Sequence, residues 1–277
     1  MSVKVTKENI DLLLGYNQKL TRDQISQILG LPEGHARVYK GIVDNYSVII
    51  KESVKSSENT SGNRVLVIGD LHEPFTLDGY LEFCVGIRNK YDCNKIMFIG
   101  DVLDNNFSSY HEVIADGDSA GLELDKAKAK IALWYNKFPI ADVCNGNHCL
   151  LPVRKAQSSG LSSQWIKSLS EVLNTPNWTY KEDFVIDDVM YTHGVGRQAS
   201  QRAKNDMISI VQGHWHSKSY IDHFVGLSDH IWAMQVGCGV DRKSYAMAYG
   251  KHFDKPHINC GVVLESGSLA LLEYMPL

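Results

Sequence analysis

Apolar residues recur at helical spacing over the first fifty positions, and then the period changes. Ile10, Leu12, Leu13 and Leu14, then Ile25, Ile28 and Leu29, then Ala36, Tyr39 and Ile42 fit amphipathic helices. Gly15 is placed to end the first helix and Thr21 to cap the second. The stretch Lys51–Asn63 (KESVKSSENTSGN) has one apolar residue and reads as a linker. From Arg64 the pattern is strand, loop, helix. Arg64–Ile68 and Lys95–Ile99 are short, β-branched apolar runs, each followed by Gly-Asp, which predicts buried strands delivering an acid at the carboxyl end. Helices are predicted at Leu77–Lys90, Leu122–Phe138 and Ser162–Leu173, with further strands at Ala141–Cys144 and Val189–Thr192. After Ser209–Gln212 the chain becomes strand-rich through Ile231–Val236, Gly261–Leu264 and Leu269–Glu273. This alternation predicts an α/β fold, a layered sandwich flanked by helices, behind a small all-helical N-terminal module. The boundaries are 1–50 for the module, 51–63 for the linker and 64–277 for the main domain.

Composition narrows the function classes. The chain has 277 residues and a formal net charge of −4, with no apolar run near the length of a membrane span. The N-terminus lacks the basic-then-apolar layout of a signal peptide, so a cytoplasmic protein with no membrane partner is expected. Six cysteines form no CxxC pair and read as packed thiols. Eleven histidines are the unusual feature, because five stand beside Asp, Asn or Gly.

Those five lie in ordered clusters: Gly69-Asp70-Leu71-His72, Gly100-Asp101-Val102-Leu103-Asp104, Gly146-Asn147-His148, Thr192-His193-Gly194 and Gly213-His214-Trp215-His216. Carboxylates, an amide and imidazoles together suit Mn²⁺, Fe, Zn²⁺, Ni or Co better than Ca²⁺ or a thiolate zinc site. The i, i+2 spacing of Asp70/His72 and His214/His216 places each pair on one face if the backbone is extended. The clusters supply about enough donors for two ions, at strand ends where α/β sheets bind ligands.

The set Asp-x-His, Gly-Asp-x-x-Asp, Gly-Asn-His, His and Gly-His-x-His resembles the calcineurin-like metallophosphoesterase superfamily, from about Arg64 onward. The resemblance implies a β-sandwich flanked by helices. It implies that Asp70, His72, Asp101 and His216 hold one divalent metal, and that Asp101, Asn147, His193 and His214 hold a second, with Mn²⁺ favoured. By the same resemblance His148 is the catalytic histidine and Asp104 the acid that orients it. Two such ions activate a bridging hydroxide for in-line attack on a phosphoester. Cys149 stands where the third motif usually has Asp or Glu. Asn105-Asn106 follow Asp104 where the similar protein Ser/Thr phosphatases carry Arg-Gly, and the arginine those enzymes place soon after the third motif is missing. Without that guanidinium pair, capture of a phosphomonoester dianion is disfavoured. Arg154 and Arg197 are the candidate phosphate clamps.

Asp23–Tyr39 resembles a helix-turn-helix, with Gly30 at the turn and Pro32-Glu33 opening a second helix to about Asn45. That helix is expected to present His35, Arg37, Tyr39 or Lys40, with Arg37 and Lys40 as DNA contacts. Residues 1–64 hold nine Lys+Arg and seven Asp+Glu, a net of +2 that leaves −6 for the rest. The leading expectation is a DNA phosphodiesterase guided by its N-terminal helices. A phosphomonoesterase on small substrates and a DNA-binding scaffold with an inactive metal site are the alternatives.

Overall fold

The run Val65-Leu66-Val67-Ile68 has no polar face, so a strand made of it must be covered on both sides. The computed structural model meets that demand. It describes residues 13, 21–32, 34–40, 62–109, 117–227, 230–241, 243–244 and 254–277. The readings made for most of the first helix, for Ile42 and for residues 51–61 lie outside the described residues. The chain divides into two compact units, residues 1–61 and 62–277.

In the first unit, helix α1 (Arg22–Leu29) begins at a reciprocal cap. The Thr21 hydroxyl accepts from the Gln24 N–H, and the Gln24 side chain accepts from the Thr21 N–H. Gly30 ends the helix at φ 61°, a left-handed conformation that costs glycine little, and helix α2 (34–40) follows. Leu13, Ile25, Ala36 and Tyr39 form the core, with Ile28, Leu29 and Leu31 against it. Tyr39 was expected among the presented residues. It is buried, because its i, i+3 spacing from Ala36 puts both on the core stripe, whereas Arg37 is exposed.

The second unit stacks two sheets. The first has the order β11-β10-β1-β2-β3-β4, built from β1 (Val65–Ile68), β2 (Lys95–Phe98), β3 (Ala141–Cys144), β4 (Trp178–Lys181), β10 (Asn259–Leu264) and β11 (Leu269–Tyr274). Strands β1 to β4 are parallel, and β10 and β11 join antiparallel. The second sheet has the order β5-β6-β7-β9-β8, from β5 (Asp183–Ile186), β6 (Val189–Thr192), β7 (Ser209–Gln212), β8 (Tyr220–Val225) and β9 (His230–Gln235). Its inner strands β6, β7 and β9 are parallel.

Side-chain alternation assigns the layers. Val65, Val67 and Met97 of the first sheet meet Tyr191, Val211, Trp232 and Met234 of the second in one core. Leu66, Ile68 and Phe98 point the other way, onto α3 (Tyr80–Lys90) and α4 (Ala120–Lys137) through Tyr80, Ile87, Ile131 and Trp134. Ala199 and Ala203 of α7 (Ala199–Asp206) cover Ile210 and Ala233 on the outer face of the second sheet. Each fully buried large side chain in these layers contributes roughly 1.5–3 kcal/mol by leaving water.

Several elements depart from the sequence reading. The helix expected over Ser162–Leu173 is a 3₁₀ turn (Ser163–Trp165) and a separate α6 (Leu169–Leu173). Ser162 and Ser168 each cap with their hydroxyl, and Ile166 between them is extended, which breaks the helix. Helix α3 starts at Tyr80 rather than Leu77, after Gly79 in a left-handed turn. Helices α5 (Leu151–Ser158) and α7, and strands β4, β5 and β8, were not foreseen.

Candidate metal centre

Five strands end together. β1 runs into Asp70, β2 into Asp101, β3 into Asn147 and His148, β6 into His193, and β7 into His214. Three of these strands belong to one sheet and two to the other, so the donors gather where both sheets present the carboxyl ends of parallel strands. The extended backbone expected for Asp70/His72 and His214/His216 is not what forms. His72 has φ 50° and His214 has φ 71°, and Asp101 also lies at positive φ (29°). Residues other than glycine adopt this region rarely. The turn sends His214 and His216 into different donor groups.

The first group is Asp70, His72 and His216. Asp70 Oδ2 accepts from the His214 backbone N–H at 2.9 Å and lies 3.2 Å from His216 Nε2. His72 donates from Nδ1 to Asp104 Oδ1 at 2.6 Å, which leaves Nε2 as the free lone pair. Burial pushes the His72 imidazole below its ordinary pKa, against the pull of Asp104, so the neutral ring is favoured.

The second group is Asp101, His193 and His214. Asp101 Oδ1 accepts from the backbone N–H of His148 at 2.8 Å and of Cys149 at 3.4 Å. Its Oδ2 lies 3.1 Å from His193 Nε2 and 3.7 Å from His72 Nε2, so it stands between the two groups. Asn147 Oδ1 lies 2.9 Å from the same His193 Nε2. Burial brings His214 down to about 4, helped by the neighbouring charge of His193, which keeps it a neutral donor. Two glycines make room for this packing. A Cβ on Gly146 would sit 2.0 Å from Asp101 Oδ1, and one on Gly100 (φ 142°) would sit 2.0 Å from His193 Nδ1.

Electrostatics and hydrogen bonding both call for a cation. Burial opposes ionisation of Asp70 and Asp101, yet the surrounding imidazoles hold both carboxyls well below the ordinary range. Burial likewise opposes charging His193, and the carboxylates of Asp101 and Asp70 outweigh it. A divalent ion would take the place of that proton. Asp70 Oδ1, His72 Nε2 and His193 Nδ1 are buried with no hydrogen-bond partner. Leaving such atoms unsatisfied costs about 1–3 kcal/mol each, which coordination would offset. The donors fit divalent metal ions.

A model of the calcineurin-like phosphoesterase family matches residues 63–241, more than half of the chain. The chain belongs to this family. No curated protein matches it. The calcineurin-like phosphoesterase match spans all five motifs, and β10 and β11, which complete the first sheet, follow it in sequence.

The phosphoesterase site adds detail to the roles the resemblance implied. His148 is held by Asp104, chiefly through the backbone: its Nδ1 donates to the Asp104 carbonyl at 2.7 Å, whereas the Asp104 carboxylate is 3.6 Å away and bound to His72. His72, Asp104 and His148 form a third donor group, with the His72 and His148 rings edge to face at 4.6 Å. Cys149 is a buried free thiol packed in the core against the first sheet, with its pKa pushed up by burial. Arg154 lies on an exposed side of α5. Arg197 is exposed in the loop after β6, whose backbone is fixed by Gln212 Nε2 donating to the Arg197 carbonyl at 2.7 Å.

Two residues that brace the site escaped the sequence reading. Asn105 donates from Nδ2 to the His148 carbonyl at 2.9 Å. Its signal was available, since Asn105 stands where related phosphatases carry arginine. Glu123, buried in the first turn of α4, accepts from the Asn106 N–H at 2.8 Å. No spacing in the sequence links it to the motifs. Among the described residues, no helix is long and apolar enough to cross a membrane.

Proposed function

We propose that this phosphoesterase hydrolyses phosphodiester bonds, with DNA as its substrate and two divalent ions, Mn²⁺ best suited, as its cofactors. The observation that carries the reading is the convergence of Asp70, His72 and His216 with Asp101, His193 and His214 around buried, unpartnered donor atoms. When bound, the ions supply a lowered pKa for water and offset the charge of the phosphoryl oxygens. The chain's own residues do the rest. Asp101 spaces the two donor groups, Asn147 and His193 complete the second, and His148 faces the ester as acid and charge stabiliser.

Two features favour a diester over a monoester dianion. At the position where similar phosphatases place an arginine, Asn105 is neutral and already bonded to His148. The candidate clamps Arg154 and Arg197 are exposed, which suits a single charge on an extended backbone. DNA is favoured by the N-terminal unit, where α1, the Gly30 turn and α2 leave Arg37 on the surface and Lys40 at its edge. Cytoplasmic location accords with this reading.

The test is a panel of single-stranded DNA, duplex DNA, bis-p-nitrophenyl phosphate and p-nitrophenyl phosphate with the full chain in Mn²⁺. Cleavage of DNA and of the diester, both lost in chelator, is the expected result; DNA cleavage should also weaken with salt in the wild type and weaken already at low salt in Arg37→Glu/Lys40→Glu, with the small diester unaffected. Turnover of the monoester alone would move the protein to small phosphomonoester substrates.

A further inference from the structure

The strongest unassigned feature is the way His148 hangs from a segment that is itself pinned by a distant helix. His148 donates from Nδ1 to the Asp104 carbonyl at 2.7 Å, and its own carbonyl accepts from Asn105 Nδ2 at 2.9 Å. Ring and backbone are thus both tied to residues 104–105. Asn105 sits at φ 51° at the mouth of a 3₁₀ turn, Asn106–Ser108, and makes no side-chain cap to it. Asn and Asp commonly cap such turns with their own side chain. Here that side chain is diverted to His148, and the turn takes its cap from Glu123, whose Oε1 accepts from the Asn106 N–H at 2.8 Å. Glu123 is 4% exposed, an uncommon site for a carboxylate with no cation bonded to it among the described residues. Its cost is explained if the turn, and the histidine the turn holds, must not move.

We propose that Glu123 and Asn105 are positioning residues for His148, fixing its ring so that Nε2 can deliver a proton to the leaving oxygen. The proposal rests on the reading of the protein as a phosphoesterase. In the step concerned, the oxygen of water bonds to phosphorus and the P–O bond to the leaving group breaks. The Nε2 proton passes to the departing oxygen, the proton released by water goes to solvent, and solvent reprotonates His148. Misplacing the ring weakens only the transfer to the leaving oxygen. The defect therefore grows as the leaving group becomes more basic.

The experiment compares the p-nitrophenyl and phenyl diesters of thymidine 5′-monophosphate in Mn²⁺, using Glu123→Ala, Glu123→Gln, Asn105→Ala and His148→Ala. Glu123→Ala and Asn105→Ala should lower kcat by about tenfold or more on the phenyl ester and by no more than about threefold on the p-nitrophenyl ester, with KM unchanged. Glu123→Gln, which keeps an oxygen for the Asn106 N–H, should restore most of the loss. Adding Glu123→Ala to His148→Ala should cost nothing further. Equal losses on both esters, or additivity with His148→Ala, would overturn the proposal. If wild type turns over neither ester, the phosphoesterase reading fails by itself. The positioning is then read from the ¹⁵N shift of His148 Nδ1, which should change in both alanine variants and recover in Glu123→Gln. A shift unmoved by all three sinks the proposal. Should Glu123→Ala fail to fold, Asn105→Ala and Glu123→Gln carry the same comparison.

Discussion

The two donor groups of the metal centre are held in different ways. In the first, His72 is oriented by a side chain, the Asp104 carboxylate at 2.6 Å. In the second, Asp101 is oriented by main chain, through the amides of His148 and Cys149. A side-chain support can be deleted by one substitution, whereas a backbone support yields only to a change that moves the loop. The support of His72 is therefore separable by mutation, whereas that of Asp101 is bound up with the third motif and with His148 itself.

The largest effect should come from Asp101, whose carboxylate stands between the two groups. Asp101→Ala is expected to cut turnover by on the order of 10³-fold and to lower metal content, measured by hydrolysis and elemental analysis. It should leave the fold intact, because the Asp101 carbonyl, which accepts from Leu71 and His72, remains. Removing the side-chain support is gentler. Asp104→Ala should weaken metal binding about 10–100-fold, and titration calorimetry should show one of two binding events altered. Equal weakening of both events would erase the distinction between the groups.

The backbone support is tested at Gly146. Its added Cβ would meet Asp101 Oδ1 at 2.0 Å and Asp101 N at 2.2 Å, so Gly146→Ala must push the loop away. A stability loss of about 1–3 kcal/mol in denaturant unfolding is expected, together with lowered activity. The smallest effect concerns Glu123. Burial raises its pKa from 4.5 to about 7, with the charges of Asp104 and Asp118 adding to it and backbone N–H groups opposing it. The folded state then holds a proton that the unfolded chain has released between those values. This contribution to stability is highest below about pH 4.5 and falls as pH rises to about 7. Glu123→Gln removes that slope, so melting curves from pH 6 to 7 should show the variant gaining on wild type by about 1 kcal/mol.

How much of this was legible in sequence depends on the kind of signal. Strands β3, β6 and β7 fall where they were predicted, because each carries adjacent apolar residues and is buried at three of its four positions. Helix α7 was hidden because it turns only Ala199 and Ala203 inward, and two small residues four apart make a faint stripe. Strand β4 escaped because its side chains alternate in burial and half of them are polar, leaving no apolar run. The residues that gather could be named from their clusters, but the local backbone could not. Extended pairs were expected at Asp70/His72 and His214/His216, and the chain instead turns through positive φ at His72 and His214. Such turns are set by what packs around them, and residue identity alone carries no trace of it. Glu123 is the extreme case, a carboxylate brought to the site purely by tertiary structure.

The positive φ angles at His72, Asp101 and His214 also bear on how the centre fills. Asp70, His72, Asp101 and His193 are buried in this shape, so holding ions would add little to the apolar surface the fold covers. Metal capture should accordingly proceed with a heat-capacity change near zero, driven by the release of water from the ions rather than by any rearrangement of the protein.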